Sequence, residues 1–231
     1  MLQWIRRSRT KKHFKIFMII GIAVLSLGLI GSYAIWSIPR FSSSSGTGEQ
    51  TPADPTVEYQ QMEERIAELE KSLSQKKDDP ALLEKLGNAY YDLGFQMFMD
   101  GTDSKAAQEN MNAALKNYEA MLKLEPDNIA VVLQAAYTAS IVGNISKAEE
   151  LYQKALSLDA GSIEVKLNYG HFLLYGKNDF DGARKQWNEA LKLNPDAETK
   201  KNIESLIEQA NQLQEYQKKQ TKDSGKEKSE D

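Results

Sequence analysis

The sequence has no cysteine among its 231 residues and only two histidines, His13 and His171. Without cysteine there are no disulfide bonds, thiolate nucleophiles or cysteine-ligated metal sites. Two histidines, one of them within the first fifteen residues, cannot supply a histidine-based triad or metal cluster to the rest of the chain. Glycine-rich phosphate loops and the HExxH motif are also missing. We therefore expect a protein that is not an enzyme and that uses no cofactor and no metal.

Acidic residues are missing from the N-terminal part of the chain. Residues 1–40 carry seven Lys and Arg residues and no acid. Residues 41–231 carry 33 acidic and 22 basic residues, which gives them a net charge of −11. Proteins that bind phosphate backbones need a basic face, so we expect no nucleic acid partner for this part.

One long apolar run stands near the N-terminus. Residues 16–38 are 23 residues without a charge, long enough to cross a hydrocarbon core of about 30 Å. Six basic residues precede the run, and only Arg40 follows it before the acids begin. The positive-inside bias then predicts a basic cytoplasmic arm over 1–15, a single-pass transmembrane helix over 16–38, and an extracytoplasmic location at the cell membrane for the remainder. The alternative is a cleaved signal peptide, since Ser32 and Ala34 offer a small-x-small site, but the run exceeds the usual 7–15 residues.

The segments on either side of the central region have distinct compositions. Residues 39–56 are rich in Ser, Gly and Pro and predict a flexible linker. Apolar residues at spacings of four, three and four predict an N-terminal flanking helix over 57–79. A similar pattern predicts a C-terminal capping helix over 198–217, and the charged residues 218–231 predict a disordered tail.

The central region repeats itself with a period near 34 residues, which indicates a helical solenoid. The units are residues 80–128, which contain an insertion, then 129–162 and 163–197. Small residues stand where two helices would cross, at Gly87, Ala114, Ala148, Ala155, Gly170, Ala183 and Ala190. Large residues stand where neighbouring hairpins would meet, at Tyr90, Tyr118, Tyr152 and Trp187.

These units resemble the tetratricopeptide repeat (TPR) family. The matching segments are LGNAY at 86–90, NYEAMLKLEP at 117–126, AEELYQKAL at 148–156 and ARKQWNEALKLNP at 183–195. The resemblance covers about 118 of the 231 residues, with three units in one register. It implies an all-α TPR solenoid of three helix-turn-helix repeats with flanking helices, preceded by one transmembrane helix. The architecture is similar to membrane-anchored bacterial TPR factors of cytochrome c biogenesis, whose repeats hold the apoprotein.

The first repeat departs from the family pattern. Nineteen residues separate Gly94 from Ala114, where the pattern has four. We expect both helices of this hairpin to continue for about two extra turns around a DGTDS turn, with Asp103 or Ser104 as the cap. The apolar residues of this 95–109 extension either pack inside the long hairpin or form an exposed docking edge.

In this family the first helices of successive repeats line a concave groove. The corresponding concave positions here are Ala81, Glu84, Asn88, Tyr91, Asp92, Ala130, Leu133, Tyr137, Ser140, Ile141, Glu164, Leu167, His171, Leu174 and Tyr175. The resemblance implies a peptide-binding groove formed by Asn88, Tyr91, Leu133, Tyr137, Leu167, His171 and Tyr175. Co-chaperone members grip a C-terminal carboxylate with lysines and asparagines, but here Glu84 replaces the first lysine. A carboxylate clamp is therefore not expected.

The function implied is that of a membrane-tethered TPR scaffold or assembly factor, which captures a protein or peptide in the groove on the extracytoplasmic side. One alternative is a self-associating structural tether of an envelope complex, which would make the chain a homo-oligomer. Another is an apoprotein holder of the cytochrome c maturation type. A third, an import receptor with cytosolic repeats, is opposed by the charge bias around residues 16–38. The sequence does not name the partner.

Overall fold

The computed structural model describes residues 55–227, and within them the side chains of residues 57–220. Eight α-helices follow one another in this part: α1 Pro55–Gln75, α2 Pro80–Asp100, α3 Ser104–Leu124, α4 Ile129–Ile141, α5 Ile145–Leu158, α6 Ile163–His171, α7 Phe180–Leu191 and α8 Ala197–Glu227. A π-helical turn, Phe172–Gly176, follows α6 directly. The predicted arm at 1–15, transmembrane helix at 16–38 and nearly all of the linker at 39–56 lie outside the described residues. Between residues 55 and 227, no helix is both long and apolar enough to cross a membrane.

The helices pair into three hairpins, α2 with α3, α4 with α5, and α6 with α7, while α1 packs on α2 and α8 packs on α7. Each helix from α2 to α7 begins after a residue whose side-chain oxygen accepts a hydrogen bond from a backbone N–H of the first turn. These caps satisfy donors that a helix leaves unpaired at its start. They are Asp79, Asp103, Asn128, Asn144, Ser162 and Asp179.

Both flanking helices have bounds that differ from the predicted 57–79 and 198–217. Helix α1 ends at Gln75 rather than 79, because the chain turns over residues 76–78 and Asp79 already caps α2. Helix α8 continues to Glu227, so that the predicted tail from 218 onwards is helical over its first ten residues. Glu, Gln and Lys, which dominate this stretch, all favour helix, and no proline interrupts them.

Two of the predicted small residues, Gly87 and Gly170, lie at helix crossings, but the large rings packed on them belong to the same hairpin, whereas the sequence placed these rings between neighbouring hairpins. Trp187, Tyr118 and Tyr152 are at most 1% exposed and rank among the largest fully buried side chains. Glycines make room for two of these rings: a Cβ on Gly87 would lie 2.6 Å from Tyr118 Cε1, and one on Gly170 would lie 2.7 Å from Trp187 Cδ1. Burying a side chain of this size stabilises the fold by about 3 kcal/mol. The glycines thus contribute to stability by leaving the space in which the large rings are buried.

The first hairpin is long because both of its helices are extended. Helices α2 and α3 have 21 residues each, against 13 for α4 and 14 for α5. Asp103, one of the two predicted caps, accepts hydrogen bonds from the backbone N–H groups of Lys105 and Ala106. A Cβ on Gly94 would lie 2.8 Å from the Ala107 carbonyl oxygen, which shows how closely the two helices cross at the base of the extension.

Helix α1 runs along this extension. The Tyr59 hydroxyl donates to Asp100 Oδ2 at 2.6 Å, close to the tip of the hairpin. Met97 packs against a small cluster whose buried members include Ile66 of α1. Phe95, Met97 and Phe98 are half-buried, whereas Met99 is 50% exposed. Met97 therefore packs on α1, whereas Phe95 and Phe98 stay partly open to solvent and Met99 is the most exposed of the four.

Candidate peptide-binding groove

All the predicted groove residues lie on the first helices of the hairpins or directly after them. Helices α2, α4 and α6 run in the same direction, since each is separated from the next by an antiparallel partner. Helix α2 carries Asn88 and Tyr91, α4 carries Leu133 and Tyr137, α6 carries Leu167 and His171, and the π-helical turn carries Tyr175.

The structure brings two of the predicted tyrosines into contact. The rings of Tyr91 and Tyr137 have centroids 6.1 Å apart and are tilted by 54°, a common geometry for aromatic pairs. Phe95, one turn beyond Tyr91, stacks on it with a centroid distance of 5.7 Å. The three rings form an aromatic row that crosses from the extension of the first repeat to the second repeat. Sequence reasoning missed the part that Phe95 plays, although its spacing of four from Tyr91 was a usable signal.

A second aromatic group lies in the third repeat. His171 stacks on Tyr175 with centroids 6.4 Å apart, and it meets the buried ring of Trp187 edge-on at 5.6 Å. Trp187 Nε1 donates to the Leu167 carbonyl oxygen at 3.3 Å. No aromatic contact joins this group to Tyr137 within the described residues. The aromatic residues of the predicted groove therefore form two separate groups.

Two predicted residues have little to offer a ligand. Leu133 is only 8% exposed and belongs to the main core. Leu167 is half-buried and packs against the same core. Asn88 is half-buried, and its Oδ1 already accepts a hydrogen bond from the Tyr118 hydroxyl at 2.7 Å, which leaves its amide nitrogen for another acceptor. The rings of Tyr91, Tyr137 and Tyr175 are also half-buried, and they are the largest partly exposed side chains of the predicted groove.

The tyrosines of the groove stay protonated at neutral pH. Burial raises the pKa of Tyr91, of Tyr137 and of Tyr175 above its ordinary value. Their hydroxyl groups can therefore both donate and accept hydrogen bonds, while their rings supply apolar area. This combination suits a peptide, which presents apolar side chains beside polar backbone groups.

His171 is a neutral imidazole in the groove. Burial lowers its pKa to about 4, although the Leu167 carbonyl one turn earlier acts in the opposite direction. Both of its ring nitrogens are buried, and neither reaches hydrogen-bond geometry with any of the described residues. A neutral imidazole has one donor and one acceptor; the Leu167 carbonyl acts on the ring from outside good hydrogen-bond geometry, and no other described residue supplies a partner. Gln134 of α4 has a buried Oε1 in the same condition.

Acidic side chains stand beside the rings. Asp92 and Glu164 are exposed to water, yet burial raises the pKa of each carboxyl group. Exposure to water and a pKa raised by burial are compatible on a concave surface, because a side chain there touches solvent but has protein on several sides. The groove therefore combines aromatic surface with partly desolvated negative charge.

The π-helical turn in the third repeat is a local irregularity that the sequence did not reveal. It buries Phe172, Leu173 and Leu174 and leaves Tyr175 half-exposed. The turn closes when the Asp179 N–H donates to the Leu173 carbonyl at 2.8 Å, and Asn178 has a φ of 55°. Such turns are rare and are found frequently at functional sites. Here the turn holds the groove residue Tyr175.

No family model and no curated protein matches this sequence. The solved structures that share its fold include the following two. A thermophilic TPR protein from Thermus thermophilus, TTC0263, superposes with a TM-score of 0.54 at 18% identity, over 69% of this chain and 82% of that one. Human IFIT1, solved as a dimer with PPP-AAAA, superposes with a TM-score of 0.58 at 18% identity, over 68% of this chain. The match spans only 37% of the human chain. At this identity the likeness concerns the fold, which is an all-α solenoid of the TPR type.

Proposed function

We propose that this chain is a membrane-tethered TPR scaffold or assembly factor that captures a protein or peptide in its concave groove on the extracytoplasmic side, and that it is not an enzyme. The observation that carries the proposal is the pair of half-buried aromatic groups on the first helices, Tyr91 with Tyr137, and His171 with Tyr175. Aromatic side chains offer a large contact area at a low entropic cost, and they dominate many binding interfaces.

The polar groups of the groove support a peptide as the occupant. His171 and Gln134 hold buried atoms to which no described residue makes a hydrogen bond, and an unpaired buried group costs about 1–3 kcal/mol. Folds tend to keep such groups where they serve a function. A peptide carries backbone donors and acceptors along its whole length, so one that enters the groove can supply missing partners after small side-chain rotations.

The membrane part of the proposal rests on the sequence alone. It is supported by the uncharged residues 16–38 and by the basic residues that precede them. A tether of this kind would confine the scaffold to the membrane surface, where a newly translocated partner emerges. Capture there raises the effective concentration of both molecules without any extra contact.

The test is crosslinking followed by pull-down from membranes, with full-length protein that carries Tyr137→Ala and Tyr175→Ala together. Loss of an aromatic anchor weakens a complex by about 2 kcal/mol, so we expect capture to fall roughly 30-fold while helical content stays at the wild-type level. The matched control is Tyr216→Ala, because Tyr216 lies on α8 and is 59% exposed.

Two results would contradict the proposal. The first is undiminished capture by the double tyrosine variant, and the second is an equal loss in the Tyr216 control. Sedimentation of the wild-type protein gives an independent readout. A tight dimer that captures no partner would favour the self-associating tether over the scaffold.

A further inference from the structure

The first repeat gathers acidic side chains for which the described residues supply no hydrogen-bond donor. Glu84, Asn88 and Asp92 are spaced by four residues and therefore lie along one face of α2. Asn88 Oδ1 is already occupied by the Tyr118 hydroxyl. The side chains of Glu84 and Asp92 make no hydrogen bond and no ion pair with any residue between 57 and 220. Four carboxylate oxygens thus remain open along one helix face.

Both carboxylates act electrostatically on the buried hydroxyl of Tyr118. Burial is the main cause that raises the pKa of Tyr118, and the negative charges of Asp92 and then Glu84 add to it. The two acids therefore act on Tyr118 from positions on either side of Asn88. The charge of Arg65 on α1 favours ionised Asp92, but burial outweighs it and leaves the pKa of Asp92 raised. The negative charge of this site is only partly compensated.

Helix α4 adds a further acceptor at the same level of the groove. Tyr91 of α2 and Tyr137 of α4 are in contact, and the two helices run in the same direction. Asn88 and Gln134 each precede these tyrosines by three residues, a rise of about 4.5 Å along either helix. By this register Gln134 stands at the same level along the groove as Asn88, and its buried Oε1 lacks any donor among the described residues.

The chemistry of this site selects the ligand. None of the fifteen concave positions carries Lys or Arg, whereas three carry Glu or Asp. Ammonium and guanidinium groups are donors only, and charge-assisted hydrogen bonds to carboxylates are about twice as strong as neutral ones. The neighbouring rings of Tyr91 and Tyr137 favour a cation through their negative faces. An anionic ligand would meet unpaired negative charge instead.

We infer that the site formed by Glu84, Asn88, Asp92 and Gln134 binds a lysine or arginine side chain of the captured polypeptide. An apolar side chain next to that residue packs against Tyr91 and Tyr137. The inference rests on the proposed function, because it specifies the occupant of the same groove. The partner is accordingly a basic and apolar segment rather than an acidic one.

The test uses two fluorescein-labelled ten-residue peptides, one of alternating Leu and Arg and the other of alternating Leu and Glu. Each is titrated with the detergent-purified full-length protein, and binding is followed by fluorescence anisotropy. We expect the Leu-Arg peptide to bind at least tenfold more tightly than the Leu-Glu peptide. In the double variant Glu84→Gln/Asp92→Asn, affinity for the Leu-Arg peptide should fall about tenfold, as expected for the loss of charged partners.

The matched control is Glu63→Gln/Glu64→Gln, which removes the same charge from exposed positions on α1. Equal losses in the two double variants would mean non-specific attraction to an acidic protein and would overturn the inference. So would equal affinity for the two peptides. If Tyr137→Ala abolishes Leu-Arg binding while the Glu84/Asp92 variant keeps it, groove capture stands and the cation site is wrong. If only the acid pair matters, the cation site stands and aromatic capture is wrong.

Discussion

Single atoms determine how closely the helices of this protein can approach. At Gly170 the α6 backbone lies against the indole of Trp187, which is fully buried and donates its Nε1–H to the Leu167 carbonyl at 3.3 Å. A methyl group at position 170 would clash with that ring. In an ordinary helix interior, replacing Gly with Ala stabilises the protein by about 1 kcal/mol. The packing here should reverse that sign.

We predict that Gly170→Ala destabilises the protein by about 1–3 kcal/mol, the usual cost of overpacking a core, as measured by urea unfolding. Combining it with Trp187→Phe should recover part of the loss, because the smaller ring moves away from the new methyl group. Gly161→Ala is the control, since Gly161 is exposed and its new Cβ would meet only Asp159 Oδ1 at 3.3 Å. If the losses of unfolding free energy in the two single variants simply add in the double variant, the side chains at positions 170 and 187 do not compete for the same space, and the prediction is wrong.

His171 connects this core to the pH dependence of stability. Its pKa is lowered to about 4 by burial, whereas an unfolded histidine titrates near 6.5. As pH falls through 6.5, the unfolded chain takes up a proton that the native histidine does not. The native state therefore loses stability from this group between about pH 6.5 and pH 4, and the loss levels off once the native histidine is protonated as well.

We predict that the free energy of unfolding of the wild-type protein, minus that of His171→Leu, falls by about 3 kcal/mol between pH 7 and pH 4. Taking the difference between the two proteins cancels the contribution of the carboxyl groups. Burial raises the pKa of Asp92 and of Glu164, so these groups make the native state more stable as pH falls, which is the opposite of the effect of His171. Urea unfolding at several pH values measures it. A difference that does not change with pH would mean that His171 is open to water in solution.

At the scale of whole elements, the insertion in the first repeat lengthens a groove helix. Phe95 stacks on Tyr91, so the extension continues the aromatic row instead of standing apart from it. The contact from Tyr59 to Asp100 holds the tip on one side, and Gln108 Nε2 donates to the Val142 carbonyl at 3.4 Å on the other. The extension is thus tied to both α1 and the second repeat.

We predict that Phe95→Ala weakens partner capture about fivefold, the effect of losing an aromatic pair worth about 1 kcal/mol. Met99→Ala should leave capture unchanged, because Met99 lies at the tip and is 50% exposed. Membrane pull-down with the full-length variants measures both. The reverse pattern, with loss at Met99 and none at Phe95, would identify the tip of the extension as the docking edge.

At the scale of the whole molecule, the orientation of the chain remains a prediction from charge. Six basic residues precede residues 16–38 and one follows them before the acids begin. This asymmetry predicts a cytoplasmic N-terminus and an extracytoplasmic repeat domain.

Reporter fusions after residue 60 test this orientation. A reporter that works only outside the cytoplasm should be active, and one that works only inside should be silent. An N-terminal epitope tag that stays attached to the repeats would further exclude cleavage after Ala34. Activity of the cytoplasmic reporter would overturn the orientation and, with it, the extracytoplasmic capture that we propose.

The repeat units were determined by the sequence alone, because their marks are local and periodic. Small residues such as Gly87 and Gly170, and large ones such as Tyr118 and Trp187, recur at the same offsets in each unit, and the structure places them at the helix crossings. Caps such as Asp103 are equally local, since the residue bonds to N–H groups two and three positions later. Patterns of this range need no knowledge of distant contacts.

Which groove residues are available to a ligand depends on contacts between separate helices. Leu133 and Tyr137 lie one turn apart on α4, yet Leu133 is in the core and Tyr137 is half-exposed. The contact between Tyr91 and Tyr137 joins residues from different hairpins, and the unpaired Oε1 of Gln134 depends on every neighbour that fails to reach it. The reason is physical: burial and unsatisfied hydrogen bonds depend on how separate helices pack, and no repeat period encodes that.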